Sequence, residues 1–223
     1  MFERWVKEFE EKALSQKAVP AGHYDQAYFL GDWRSGENNY SLEARRAIEA
    51  KNPSLIKEVF QPCKVLDFGC GPGALLYFLW ELDVDCEGMD FSEYAKRSAP
   101  PEVRDRIRVC RAEAPIPVEE KYDLVICREV LEHLTVFQIQ RAVQNICALS
   151  TRYVYVTTRY AKHEESFLAV ETEPEVDPSH ISLLKKDFLR CLFVLQGFRS
   201  RRDLEEKMDW KNYGRVLVFE KVT

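Results

Sequence analysis

From Lys64 onward the chain alternates short β-rich apolar runs with stretches of helical periodicity. Lys64 to Asp67, Val84 to Met89, about Arg106 to Cys110, Tyr122 to Cys127 and Tyr153 to Thr158 read as strands. An apolar helix is predicted over about Ala74 to Leu82. Ser92 can cap the next one, which Pro100-Pro101 must end. Val136, Ile139, Val143 and Ile146 mark the buried stripe of the helix after the fourth strand. A further helix over about Leu183 to Leu195 is closed by Gly197 in the position of a C-terminal cap. Two last runs, one starting at Phe198 and one covering Arg215 to Glu220, read as an antiparallel pair separated by a polar excursion. Ahead of all this, Phe2, Trp5, Val6, Phe9 and Ala13 recur at helical spacing, and a second helix runs from Ser41 toward Ala50. Between those two lies a turn-rich segment, His23 to Tyr40, carrying Tyr24, Tyr28, Phe29, Trp33 and Tyr40.

Helices first, then five β/α units, then a terminal hairpin predict an α/β fold. Its sheet has seven strands, mostly parallel with an antiparallel C-terminal strand, and helices on both faces. One domain over 1–223 is expected, with 1–60 as an N-terminal helical cap or lid and 61–223 as the core. Ligands in such sheets bind beyond the carboxyl ends of the strands, so the chemistry should follow strands one to four.

Composition narrows the picture. At 223 residues and 46% hydrophobic the chain can bury one sizeable core. Its net charge of −5 offers no general attraction to phosphate backbones or anionic membranes, so neither nucleic acid nor a membrane is an expected partner. The seven cysteines are scattered and form no C-x-x-C pair, which argues against a disulfide framework or a zinc knuckle; no metal site is expected, and a reducing cytoplasm is. The charged opening cannot be a secretory apolar region, and no apolar run approaches membrane-spanning length.

The strongest motif is Val65-Leu66-Asp67-Phe68-Gly69-Cys70-Gly71-Pro72-Gly73, a strand ending in an acid and then a glycine-rich turn that opens a helix. Glycines let a ligand approach the main chain closely. Asp67, at the buried end of an apolar strand, suits a ligand carrying an ammonium group. Asp90 closes the second strand, where an acid can accept both hydroxyls of a ribose, and Phe91 beside it can pack on an adenine face.

These residues resemble the class I S-adenosylmethionine-dependent methyltransferases, from about Lys64 to the C-terminus. The resemblance implies a Rossmann-like core and S-adenosylmethionine as cofactor, with S-adenosylhomocysteine as product. It places the methionine end of the cofactor on Asp67, Gly69, Cys70, Gly71 and Gly73, the ribose on Asp90 with Phe91, and the adenine near Ala112 and Glu113. Many relatives carry Gly-Asp-Ala where this chain has Arg111-Ala112-Glu113. The run Tyr122 to Leu134 looks like the family's fourth motif with its Glu-His-Leu tail, which puts Arg128 beside the cofactor and Glu129 beside the acceptor.

In-line methyl transfer needs positioning above all, and a base only where the acceptor must lose a proton. Glu129, His133 and His180 are the candidates; His163 lies in a polar run that could border the acceptor pocket. The expected acceptor is a small molecule such as a sugar, a quinone-like compound or another metabolite, because the aromatic segment is similar to the openings of bacterial enzymes that modify these. Other readings are a methyltransferase acting on RNA or protein, a non-catalytic S-adenosylmethionine-binding protein, and an NAD-type dehydrogenase, whose G-x-G-x-x-A fingerprint Gly69, Gly71 and Ala74 satisfy. Against the last, Asp67 would add negative charge where a pyrophosphate must sit.

Overall fold

The alternation of strand and helix periods resolves into one central sheet, seen in a computed structural model that describes residues 2–31, 39–116, 121–161, 166–170 and 177–222. Its strands are β1 (Lys64–Phe68), β2 (Asp85–Asp90), β3 (Ile107–Val109), β4 (Tyr122–Arg128), β5 (Ser150–Thr157), β8 (Phe198–Ser200) and β9 (Val216–Lys221). They lie in the order β3-β2-β1-β4-β5-β9-β8. The first five run parallel, and β9 runs antiparallel between β5 and β8. The expected Rossmann-like architecture is what forms.

The period of two along each strand decides what each face buries. Leu66, Phe68, Val125, Cys127, Val154, Val156, Leu217 and Phe219 pack against α8 (Val136–Leu149) and α9 (Lys186–Val194). Val65, Leu124, Ile126, Tyr155 and Val218 face α4 (Asn52–Phe60), α5 (Ala74–Trp80) and α10 (Arg202–Met208). The α8 stripe is buried as its spacing predicts, and Thr135 and Gln138 form a reciprocal capping box at its start. Ser92 caps α6 (Glu93–Ser98), and the proline pair both stops α6 and opens the short α7 (Pro101–Arg104).

The structure also departs from the sequence expectations. The polar excursion before β9 contains α10, whose single buried face is Leu204, Glu205 and Met208. Glu205 is tied to Arg190 of α9 by contacts of 2.6 and 3.1 Å, a tertiary pairing that no local spacing reveals. The helix expected from Leu183 starts instead at Lys186, because Leu183 and Leu184 form β7, paired antiparallel with β6 (Leu168–Ala169). Ile56 and Phe60 of α4, a helix the periodicity did not announce, belong to the core. In front of it lie α1 (Phe2–Ser15), α2 (Gln26–Leu30) and α3 (Leu42–Glu49).

At the carboxyl ends of β1 and β4 the chain turns within van der Waals range of itself. Gly69 adopts φ +83°, and a Cβ built there would stand 2.3 Å from Val130 Cγ2. Gly69→Ala should therefore cost about 2–4 kcal/mol, from left-handed backbone strain plus overpacking. Chemical denaturation of the single variant and of Gly69→Ala with Val130→Ala should show the second change recovering only the overpacking part.

Candidate active site

Asp67 and Arg128 reach the same side of the sheet for a simple reason: β1 and β4 are neighbours, and both residues continue the buried face of Val65, Leu124 and Ile126. A carboxylate and a guanidinium thus emerge where the two strands diverge toward their crossovers, the switch point at which such sheets bind ligands. Glu49, the last residue of α3, accepts from Arg128 Nη1 at 2.7 Å, from Arg45 at 2.6 Å and from Asn52 at 2.9 Å. Burial pushes the Glu49 carboxyl up, but Arg128 and Arg45 more than offset it and hold it at about 2. Asp67 has no such clamp. Burial dominates there, with Arg128 opposing it, and the carboxyl is pushed up to about 7; it makes no side-chain hydrogen bond among the described residues.

The glycine loop is braced from both sides. The amides of Gly69 and Cys70 donate to the Met89 carbonyl at 2.7 and 3.0 Å. Asp90 accepts from the amide of Gly71 at 2.9 Å and from that of Ser92 at 2.8 Å, so this acid holds the loop while each oxygen keeps a further lone pair. Loop and acid bound a cavity of about 190 Å³, closed on the far side by Tyr24, Tyr28, Phe29 and Tyr40. Phe91 meets Tyr24 edge-on with ring centres 5.1 Å apart.

A second cavity, about 500 Å³, shares Tyr28, Tyr40, Arg45, Glu49, Arg128, Glu129 and His133 with the first. Glu129 sits at φ +53° just past β4, and its carboxylate accepts from Arg215 at 2.5 Å. Burial raises its pKa, yet Arg215 outweighs this and keeps it below the usual carboxylate range. His133 closes the short turn Leu131–His133, and its Nδ1 lies 2.8 Å from Ser179 Oγ. Burial, with His180 4.7 Å away ring to ring, pulls the His133 imidazole down to about 3, so it is neutral at physiological pH. Burial and the neighbouring Glu129 push Glu132 up to about 8.

The structure gathers Asp67, Gly69, Cys70, Gly71, Asp90, Phe91, Ala112, Glu113, Arg128, Glu129 and His133 around the first cavity. Gly73 is not among them. It stands behind the loop at the start of α5, where a Cβ would lie 3.1 Å from Ile107 Cδ1, so its place is in helix packing. His180 lines only the second cavity. Glu113 is engaged by Arg111 at 2.7 Å and Gln138 at 3.0 Å. Trp33 and His163 lie outside the described residues. Sequence reasoning missed Glu49, Arg45, Asp177 and Ser179; each is an ordinary polar residue in its local context, and only folding brings it to the site.

Residues 40–202 match the family model described as "Methyltransferase domain". The chain belongs to this family. The methyltransferase uses S-adenosylmethionine as its donor, and the dehydrogenase reading falls away. No curated protein matches the chain. Among solved structures it is similar to the magnesium protoporphyrin IX methyltransferase of Synechocystis PCC 6803, at 16% identity over 93% of this chain and 100% of that one, TM-score 0.60. It is also similar to the CcbJ methyltransferase of Streptomyces caelestis, at 15% identity over 92% and 100%, TM-score 0.62. A third is a TehB-like enzyme of Corynebacterium glutamicum, at 17% over 83% and 98%, TM-score 0.60. At such identities these likenesses establish the fold. The donor fits the site in this methyltransferase's own terms: a buried carboxylate without a hydrogen-bond partner suits an ammonium, and an acid with spare lone pairs suits a diol.

Glu49 is the anchor of the buried charges. Glu49→Gln leaves Arg128 without its counter-ion and should lower stability by about 3 kcal/mol or more in urea unfolding at neutral pH. Because the folded carboxyl sits near 2, below its ordinary 4.5, the wild-type contribution is full above pH 4.5 and is lost as pH falls toward 2; the variant should lack that component.

Proposed function

We propose that this methyltransferase acts on a small molecule held in the second cavity. The observation that carries the reading is the cap. Tyr24, Tyr28, Phe29 and Tyr40 close over the donor cavity, and the neighbouring chamber of about 500 Å³ meets it across Glu129 and His133. Such a chamber suits a metabolite rather than a polymer. The arginines along β3 and the closing hairpin are paired with acids: Arg106 with Asp85, Arg108 with Glu87, Arg199 and Arg201 with Glu220. A phosphate backbone at those strand faces would have to compete with the carboxylates.

Bound S-adenosylmethionine supplies an electrophilic methyl group on a cationic sulfur. Asp67 would take its ammonium, Asp90 its ribose hydroxyls, and Phe91 with Ala112 its adenine. Gly69, Cys70 and Gly71 would present the main chain to it, with Arg128 and Glu113 at the rim. On the acceptor side Glu129 stays ionised beside Arg215 and would orient the acceptor by hydrogen bonds, while His133 stays neutral and forms part of the chamber wall. His180 extends that wall. Residues 1–60 serve as the cap of a single domain. No helix among the described residues is long and apolar enough to cross a membrane, and all seven cysteines are free, which supports a reducing, cytoplasmic setting.

The Asp67 assignment has a signature in pH. A cationic ligand selects the ionised carboxylate, and the free site titrates at about 7. Affinity for S-adenosylmethionine should therefore fall about tenfold per pH unit as pH drops below 7, with proton release on binding. Calorimetry in buffers of different ionisation enthalpy detects that proton. Asp67→Asn should bind more weakly and lose the pH slope; a wild-type affinity flat from pH 5 to 8 argues against the assignment.

The acceptor class is tested with methyl-tritiated donor, offered separately with a metabolite extract, with total RNA and with a protein fraction. Label recovered in the low-molecular-weight products is expected. Label confined to RNA or protein would refute a small-molecule acceptor, and no transfer from a donor that binds would favour a protein that only holds it.

A further inference from the structure

Between β4 and α8 the chain places an acid and an imidazole side by side, and the loop before β7 brings a second imidazole to them. One ligating atom from each of Glu132, His133 and His180 lies within 4.8 Å of the others. The sequence showed no metal spacing, because His180 is remote from His133 along the chain. Glu132 is fully buried. Its Oε2 accepts from Thr158 Oγ1 at 2.7 Å, whereas Oε1 is buried with no hydrogen-bond partner among the described residues. An unpaired carboxylate oxygen in the interior is costly unless a donor or a cation meets it.

The tautomer of His133 points the same way. Asp177 Oδ1 accepts from the Ser179 hydroxyl at 2.6 Å and from the Ser179 amide at 2.8 Å. With its proton directed to Asp177, Ser179 Oγ is left to accept from His133 Nδ1–H at 2.8 Å. The lone pair of the imidazole is then on Nε2, available to an ion. A hydroxyl or carboxylate chain fixing the far side of a ring, and a threonine fixing the far oxygen of an acid, are the supports that orient metal ligands.

We propose that Glu132, His133 and His180 form a binding site for one first-row divalent metal ion beside the acceptor chamber. Two imidazoles and one carboxylate suit Mn, Fe, Co, Ni or Zn, and three protein ligands leave positions open. His133 and His180 both line the acceptor chamber, and His133 also lines the donor cavity, so those open positions face the place where acceptor and donor meet. The acceptor is accordingly one that offers a hydroxyl or carboxylate oxygen to the ion. That last step rests on the small-molecule methyl-transfer reading; the ion site does not.

The test uses the full chain, stripped with chelator and titrated with Mn²⁺ while the resonance of the free ion is followed. Manganese is chosen because it is indifferent to the exposed thiols of Cys63 and Cys191. Saturable binding of one Mn²⁺ per chain is expected, displaced by Zn²⁺ or Co²⁺ and accompanied by a rise in melting temperature. His180→Asn and Glu132→Gln, each checked for a cooperative melt, should weaken it by about tenfold or more. No saturable binding to the wild type, or undiminished binding to a folded variant, overturns the site. S-adenosylmethionine binding to the wild type is measured in parallel. Donor binding without Mn²⁺ binding removes the metal site and leaves the transfer reading; Mn²⁺ binding without donor binding does the reverse.

Discussion

The charges buried at the ends of β1 and β4 govern this structure. Asp67 and Arg128 project from adjacent parallel strands into the interior, and Glu49 supplies the counter-charge for Arg128. It does so from α3, ahead of the sheet in sequence, so the cap is tied to the core by a buried ion pair as well as by apolar contact. The arrangement is asymmetric. Glu49 accepts from two guanidiniums and an amide, and Asp67 makes no hydrogen bond through its side chain among the described residues. Desolvation without a hydrogen-bond partner keeps the ionised form of that carboxylate at high energy.

Around this centre the glycine loop is held by its own amides, which donate to a carbonyl and to a carboxylate. Asp90 and the Met89 carbonyl fasten the glycine turn, and Val130 fills the space that a side chain at position 69 would need. The cap then contributes surface. Phe29 comes to 3.4 Å of the Cβ position of Gly71, and Ser92 Oγ donates to the Tyr24 carbonyl at 2.6 Å, so the aromatic cluster is registered against the motifs it covers. Tyr28 and Tyr40 line both cavities.

The second cavity is organised differently, by a chain of polar groups running from Asp177 through Ser179 to His133, with His180 and Glu132 next to it. These residues come from the turn after β4 and the loop before β7. Their closeness depends on the Ser182 amide donating to the Glu132 carbonyl at 3.0 Å, which draws the two segments together.

The sequence by itself determined the strand order's raw material, the seven strands of the central sheet, the α8 stripe, the cap at Ser92, and the glycine-rich and acidic motifs; α9 is capped at Leu195, two residues before the expected Gly197. Those features are local: period, capping chemistry and glycine spacing act over a few residues and can be read one segment at a time. It also carried Asp67 and Asp90, because an acid at the end of an apolar strand stands out against its neighbours. What only the tertiary structure decided has the opposite character. Glu49 is one acid among several on an amphipathic helix, α10 shows its buried face only once Glu205 meets Arg190, and Gly73 and Gly71 look alike until one packs against Ile107 and the other faces the cavity. The pairing of His133 with His180 likewise depends on where two distant loops are brought by the sheet. Burial and long-range partners, which set both the energies and the pKa shifts at this site, are properties of the folded chain alone.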